Sequence, residues 1–267
     1  GGNVTVEEAE LLVRDPGDVT APVVEITAPT ADEKLLDTID VTGTATDPNL
    51  VRWTLSFAER NGDEWVTLVE GDANVEGGTF GQIKPGLFEN GMYTLRLEAQ
   101  DINGQIGRDE VVFTVDGQAK VGAFRMEFID ANIHVAGAPL TVKRIYDSRT
   151  RFTRDFGLGW TLDVKAGKVE HNRPPSRDWE ITVGGGFIAL PCQQANETEP
   201  HVTEVRISDE EMYAFRPELI PGGAFLGGCQ ATFSFEYVGG TVPGEARLQL
   251  FGSDQVAYLN GDPQLYT

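Results

Sequence analysis

Two-residue alternation, cut at short intervals by turn residues, constrains this chain more than any other feature of its sequence. In VRWTLSF, Val51, Trp53, Leu55 and Phe57 share one face, while Arg52, Thr54 and Ser56 share the other. In MYTLRLEA, Tyr93, Leu95, Leu97 and Ala99 oppose Thr94, Arg96 and Glu98. Successive side chains of a strand point to opposite faces, so this period describes sheets with one buried and one wetted face. VVEITAP, DTIDVTGTAT, WVTLVEG and EVVFTV complete a strand set across residues 22–116. DPN, NGD, ENG and DING punctuate it, and Asn-Gly at 61–62 and 90–91 supplies the positive-φ positions of tight connections. EEAELL and ADEKLL are the helix-like runs, each too short to stand alone.

The pattern predicts an all-β chain with three parts. Residues 1–18, where VTVEEAELLVRD runs into DPGD, read as a trailing strand or linker from a preceding domain. Without an initiator Met, the start reads as that of a processed or excised fragment. Residues 19–116 read as a β-sandwich, with turns at the spacing of a small sandwich. Residues 117–267 begin with the hinge GQAK and continue as a β-hairpin-rich domain. Its candidate strands include FRMEFIDANIHV, PLTVKRIYD, DWEITVGGGFIALP, HVTEVRISDEEMYAFRP and ATFSFEYVG. Glycines at 167, 184–186, 222–223, 227–228 and 239–240 suit its turns and bulges.

Charge narrows the function classes. There are 42 acidic against 21 basic side chains, a formal net charge of -21. Such a surface repels nucleic acids and anionic membranes, both of which are bound through positive fields. The one basic, aromatic stretch is RIYDSRTRFTRDFGLGWTLDV at 144–164, where Asp147, Asp155 and Asp163 interleave with the arginines. It is expected to pack its aromatics inward and to satisfy its arginines with neighbouring carboxylates.

No catalytic constellation can be written. His134, His171 and His201 stand singly, and no nucleophile elbow, HExxH or phosphate-binding glycine loop occurs. Cys192 and Cys229 are too far apart for a short metal-ligand spacing; separate buried thiols are preferred to a disulfide. Asp47, Asp101, Asn103 and Asp116 carry oxygen ligands of the kind calcium takes, and sandwich-end loops could join Asp47 to Asp101. Their ordinary use as turn residues is the preferred reading. No catalytic, cofactor or metal residue is therefore assigned, and the chain is not expected to be an enzyme.

Residues 124–164 resemble the opening of the repeat region in Rhs/YD-repeat proteins. Gly137, Pro139, Leu140, Val142, Arg144, Tyr146, Asp147 and Ser148 match its GxPLxVxRxYDS pattern, and Phe156, Gly157, Gly159, Trp160, Leu162 and Asp163 match FGxGWxLD. Residues 22–116 resemble bacterial immunoglobulin-like modules through PVVEITAPT, VTGTATDPNLVRWTL and NGMYTLRLEAQDINGQ. The chain departs from the full pattern in having a single Tyr-Asp pair of that kind, Tyr146–Asp147. The resemblance implies an immunoglobulin-like β-sandwich followed by the start of a β-shell. It further implies a secreted or cell-surface protein and a spacer-and-cap role beside the remaining shell and a C-terminal toxin. Unpaired strand edges in such a piece favour edge-to-edge self-association. The alternatives are an adhesion or carbohydrate-binding module, favoured if Trp53, Trp65 or Trp179 lines a shallow face, and a hydrolase fragment. The hydrolase would use unassigned acidic residues, or Cys192 beside His171 or His201.

Overall fold

A computed structural model describes residues 14, 16–117, 124–135, 138–163, 167–184, 192–207, 211–220, 231–259 and 262–265. The chain divides into two compact units, Gly1–Phe88 with Tyr93–Val121 and Glu89–Met92 with Gly122–Thr267. Both are built of strands. Among the described residues the only helical turn is a 3-10 turn at Pro85–Leu87, and no helix is long and apolar enough to cross a membrane.

The first unit contains β1 (Val23–Ala28), β2 (Glu33–Leu35), β3 (Ile39–Thr46), β4 (Leu50–Glu59), β5 (Val66–Gly71), β6 (Val75–Ile83), all but the first two residues of β7 (Gly91–Asp101), and β8 (Ile106–Val115). They form a three-stranded sheet, β1-β3-β6, and a five-stranded sheet, β2-β8-β7-β4-β5. The pairs β1–β3, β3–β6, β4–β5 and β4–β7 are antiparallel, whereas β2 and β8 run parallel. Part of the helix-like ADEKLL run is thus β2: pairing Glu33–Leu35 with Phe113–Val115 overrides a weak local propensity.

The alternation sets the core. Leu55, Phe57, Leu95, Leu97, Phe113 and Val115 of the larger sheet are fully buried, and Val41 and Ala45 of the smaller sheet join them. Trp53 of β4 meets Phe80 of β6 edge-on, with ring centroids 4.8 Å apart, which brings the two sheets face to face. One position departs from the sequence pattern. Val51 is exposed and Leu50 is buried. The β4–β7 register shifts between Leu50 and Arg52, so Val51 is a bulge residue and the inward phase restarts at Trp53.

The second unit contains β9 (Arg125–Val135), β10 (Ala138–Asp147), β11 (Thr153–Arg154), β12 (Gly157–Leu158), β13 (Trp160–Asp163), β14 (Lys168–His171) and β15 (Trp179–Gly184). It continues with β16 (Cys192–Glu197), β17 (Thr203–Arg206), β18 (Met212–Ile220), β19 (Ala231–Gly240), β20 (Gln255–Leu259) and β21 (Asp262–Leu265). The sheets are β13-β10-β9, the hairpins β11-β12 and β15-β16, and a six-stranded β14-β17-β18-β19-β20-β21, all antiparallel. Its apolar cluster is Leu219, Ala231, Phe233 and Val256, against which Trp179, Ala195, Phe235 and Leu250 pack.

The basic, aromatic stretch becomes one face of β13-β10-β9. Register places Tyr146 beside Trp160 and Met126, and Arg144 beside Leu162 and Phe128. Trp160 lies 5.4 Å from Tyr146 and 6.1 Å from Phe128 between ring centroids. Arg144 pairs with Asp130 through two nitrogens at 2.6 and 2.7 Å, and Arg149 pairs with Asp147 in a buried contact. Two of the four arginines of the stretch, Arg144 and Arg149, are thus satisfied by carboxylates as expected. The aromatics of the stretch turn inward only in part: Phe152 is buried and Tyr146 and Trp160 are partly buried, but Phe156 is 50% exposed.

The sequence expectations for residues 1–13, for hinge residues 118–120, for Gly137, for the glycines at 185–186, 222–223 and 227–228, and for the Cys192–Cys229 pair fall wholly or partly outside the described residues.

Candidate functional site

Strand phase puts two acids where apolar residues belong. In β3 and just beyond it, Val41, Gly43, Ala45 and Asp47 take successive inward positions. In β7, Tyr93, Leu95, Leu97, Ala99 and Asp101 do the same. Both aspartates are therefore driven inward at the ends of strands from different sheets, and they are 6% and 2% exposed. Asp18, from the segment before β1, completes the group. One carboxylate oxygen from each of the three lies within 4.8 Å of one from each of the others.

The loops hold these groups by local hydrogen bonds. Asp47 Oδ1 accepts from the Asn49 N–H at 2.7 Å, and the Asp47 N–H donates to Asn74 Oδ1 at 2.9 Å. Asp101 Oδ1 accepts from the Gln105 N–H at 2.7 Å. Asp101 Oδ2 is buried with no hydrogen-bond partner. Asn49 and Asn103 direct their Nδ2 groups at Asp18 Oδ2 over long distances of 3.4 and 3.3 Å. Arg14 Nε donates to Ile102 O at 3.0 Å, fixing the leading segment next to Asp101.

Among the described ion pairs, none joins a lysine or arginine to Asp18, Asp47 or Asp101. Two carboxylates at about this separation repel by roughly 3 kcal/mol at an effective dielectric near 20. The arrangement is chemically suited to a hard cation, since every donor facing the centre is oxygen or an amide that can offer oxygen.

Of the four acids and amides singled out in the sequence, the structure brings Asp47 and Asp101 together and places Asn103 at their edge. Asp116 lies elsewhere, paired with Lys34. Asp18 was missed, because DPGD reads as a turn and nothing local announces its long-range partners. An acid in the inward phase of a strand was the legible signal for the other two.

A second feature lies within the other unit. Trp179, Ala195, Asn196, Glu197, Arg216 and Leu219 help line an open groove of about 560 Å³. His201, nearly fully buried, stacks on Trp179 with centroids 4.9 Å apart and planes 18° from parallel. Its Nδ1 lies 2.9 Å from Glu197 Oε1 and its Nε2 lies 2.8 Å from Arg177 O. Burial pushes the Glu197 carboxyl up, but hydrogen bonds from Arg216 and from the backbone and ring of His201 outweigh it, so it titrates below the usual carboxylate range.

The remaining single residues are accounted for separately. His171 Nδ1 lies 2.8 Å from Thr203 Oγ1, and His134 is a backbone partner of Pro139. Trp53 is buried, and Trp65 lies under the Arg96 guanidinium, 3.5 Å from the ring centroid. Of the three tryptophans proposed as ligand platforms, Trp179 lines the described groove.

Comparison with models of known protein families, with curated proteins and with solved structures finds no match in any of the three.

Proposed function

We propose that the chain is a non-catalytic structural part of a large secreted or cell-surface Rhs/YD-repeat protein. In this reading residues 19–116 are an immunoglobulin-like spacer, and residues 117–267 start or cap a β-shell whose remainder encloses a C-terminal effector. The observation that carries the reading is the incompletely covered sheet β13-β10-β9. Residues that bear the family resemblance, among them Arg144, Tyr146, Trp160 and Leu162, build a sheet face rather than a cleft. Beside them, on the same face, Phe124, Phe128 and Ile133 are each about half exposed. A contiguous apolar strand surface of this kind is normally covered by further protein.

The reading predicts that the isolated chain associates with itself as its concentration rises, measured by sedimentation velocity. Phe128→Glu combined with Ile133→Glu should abolish that association while leaving the β-sheet circular dichroism intact. A chain that stays monomeric throughout, with these positions unaltered, would remove the main support.

A second reading, an adhesion or carbohydrate-binding module, is favoured by the half-buried Trp179 in its open groove beside Asn196, Glu197 and Arg216. Aromatic faces beside hydrogen-bonding groups suit sugar rings. Titration with mixed oligosaccharides, followed by tryptophan fluorescence, decides it: a saturable change that Asn196→Ala removes would favour this reading over the first.

A further inference from the structure

We propose that Asp18, Asp47 and Asp101 bind a calcium ion at one end of the first unit's sandwich, and that the ion fastens the segment before β1 to the two sheets. The inference is independent of the shell reading, since it rests on the geometry of one unit alone.

Three observations converge. The carboxylate oxygens lie within 4.8 Å of one another. Oxygens bound at about 2.4 Å to one ion are at most about 4.8 Å apart, so the spacing meets the condition for sharing a single calcium ion. Asp101 is 2% exposed, yet its Oδ2 has no hydrogen-bond partner. A buried carboxylate oxygen left unpaired is costly, and a cation at this point supplies the missing partner. Finally, the charge at the site is uncompensated by any described lysine or arginine ion pair.

The amides extend the ligand set. Asn49 and Asn103 approach Asp18 Oδ2 through Nδ2 at 3.4 and 3.3 Å. A half-turn of either amide about its last bond presents Oδ1 instead, adding neutral oxygen ligands to the three carboxylates. Carboxylate and carbonyl oxygens drawn from three separated segments suit the irregular six- to eight-fold shell of calcium. Magnesium demands a compact octahedron and keeps its waters.

The consequence is mechanical. Asp47 ends an inward run from the smaller sheet, and Asp101 ends one from the larger. Asp18 belongs to neither sheet. An ion shared by all three joins both sheets and the leading segment at a single point. Among the described contacts of that segment are Arg14 on Ile102 O and the long contacts from Asn49 and Asn103.

The test uses the full 267-residue chain, stripped with EDTA and titrated with calcium chloride by calorimetry and thermal unfolding. Saturating calcium should raise the melting temperature of the first unit by on the order of 10 °C. Asp18→Ala, which alters no strand, should weaken calcium binding by roughly tenfold or more. Asp101→Asn should melt at or above the unsubstituted chain in EDTA, having lost one repelling charge, and should gain little from calcium.

Three results would overturn the proposal. One is the absence of both heat and thermal shift at millimolar calcium in a folded chain. Another is unchanged binding in Asp18→Ala. The third is an Asp101→Asn variant that loses the same stability with and without calcium, which would make Asp101 a turn anchor only. Should Asp101→Asn fail to fold, Asp18→Ala decides alone. Equal stabilisation by magnesium would overturn the assignment to calcium.

Discussion

The two units bury different kinds of side chain. In the first, Leu55, Phe57, Leu95, Leu97 and Phe113 form an apolar interior supplied by two facing sheets. In the second, the described interior is rich in polar groups: Asp147, Arg149, Asn172, His201, Thr203, Glu204 and Arg206 are all buried. Its apolar cluster is small by comparison. The difference teaches that a shared strand-and-turn vocabulary does not imply a shared source of stability. The first unit rests on area removed from water. The second rests more on paired charges and hydrogen bonds, which stabilise only while every partner is present. Arg206 illustrates the exposure to failure: Nη2 reaches Glu204 at 3.0 Å, while Nε and Nη1 are buried without a partner among the described residues.

The largest expected effect separates the units most sharply. Phe113→Ala removes a fully buried ring from the first interior and should cost about 3–5 kcal/mol, read as an early unfolding transition in urea. A first-unit transition that stays in place would mean that this ring contributes little to that interior.

Arg149→Met makes the matching break in the second unit. Asp147 would be left as a buried, unpaired carboxylate, at a cost of about 3 kcal/mol. The double variant with Asp147→Leu should recover much of that loss, because both charges are then gone. A double variant no more stable than the single would mean that packing, not charge pairing, holds the turn.

Acid provides the same comparison without substitution. Burial pushes the Asp147 carboxyl up, but the hydrogen bonds and charge of Arg149 outweigh it and hold it below its ordinary range. Glu197 is likewise lowered. A carboxyl whose folded value lies below its unfolded value contributes stability that is complete above the unfolded value, near 4, and is lost as pH falls through the folded value. Urea unfolding at pH 7 and pH 3 should therefore show the second unit weakening through these two groups. An unchanged second transition at pH 3 would contradict the ion-pair account.

Smaller effects test single contacts. Gly159 has a φ of +80°, and a Cβ there would come within 2.8 Å of Tyr146 Cε2. Gly159→Ala should cost about 1–3 kcal/mol from backbone strain and crowding of the aromatic face. Arg108→Gln, which removes a surface pair with Glu98, should cost less than about 1 kcal/mol in the first unit. A larger loss there would show that surface charge matters more to that unit than its interior suggests.

Much of the first unit was legible because strand phase is a local steric property. The alternation at Tyr93, Leu95, Leu97 and Ala99 named the inward face of β7, and continuing it by one step reaches Asp101. The second unit was less legible. Its strands carry less regular patterns, and its buried polar groups are indistinguishable in sequence from exposed ones. Trp179 and His201 gave no sign of stacking, since each is a single residue in an unremarkable run.

The sequence alone determined that the chain is built of strands rather than helices, and where its major strands lie. These follow from the two-residue period and from turn chemistry, which act over a few neighbouring residues. Only the tertiary structure decided that Leu50 rather than Val51 is buried, that Asp116 pairs with Lys34, and that Asp18 returns to the two inward aspartates. Each of those depends on which strands pair and in what register, and a register is fixed by contacts between residues distant along the chain.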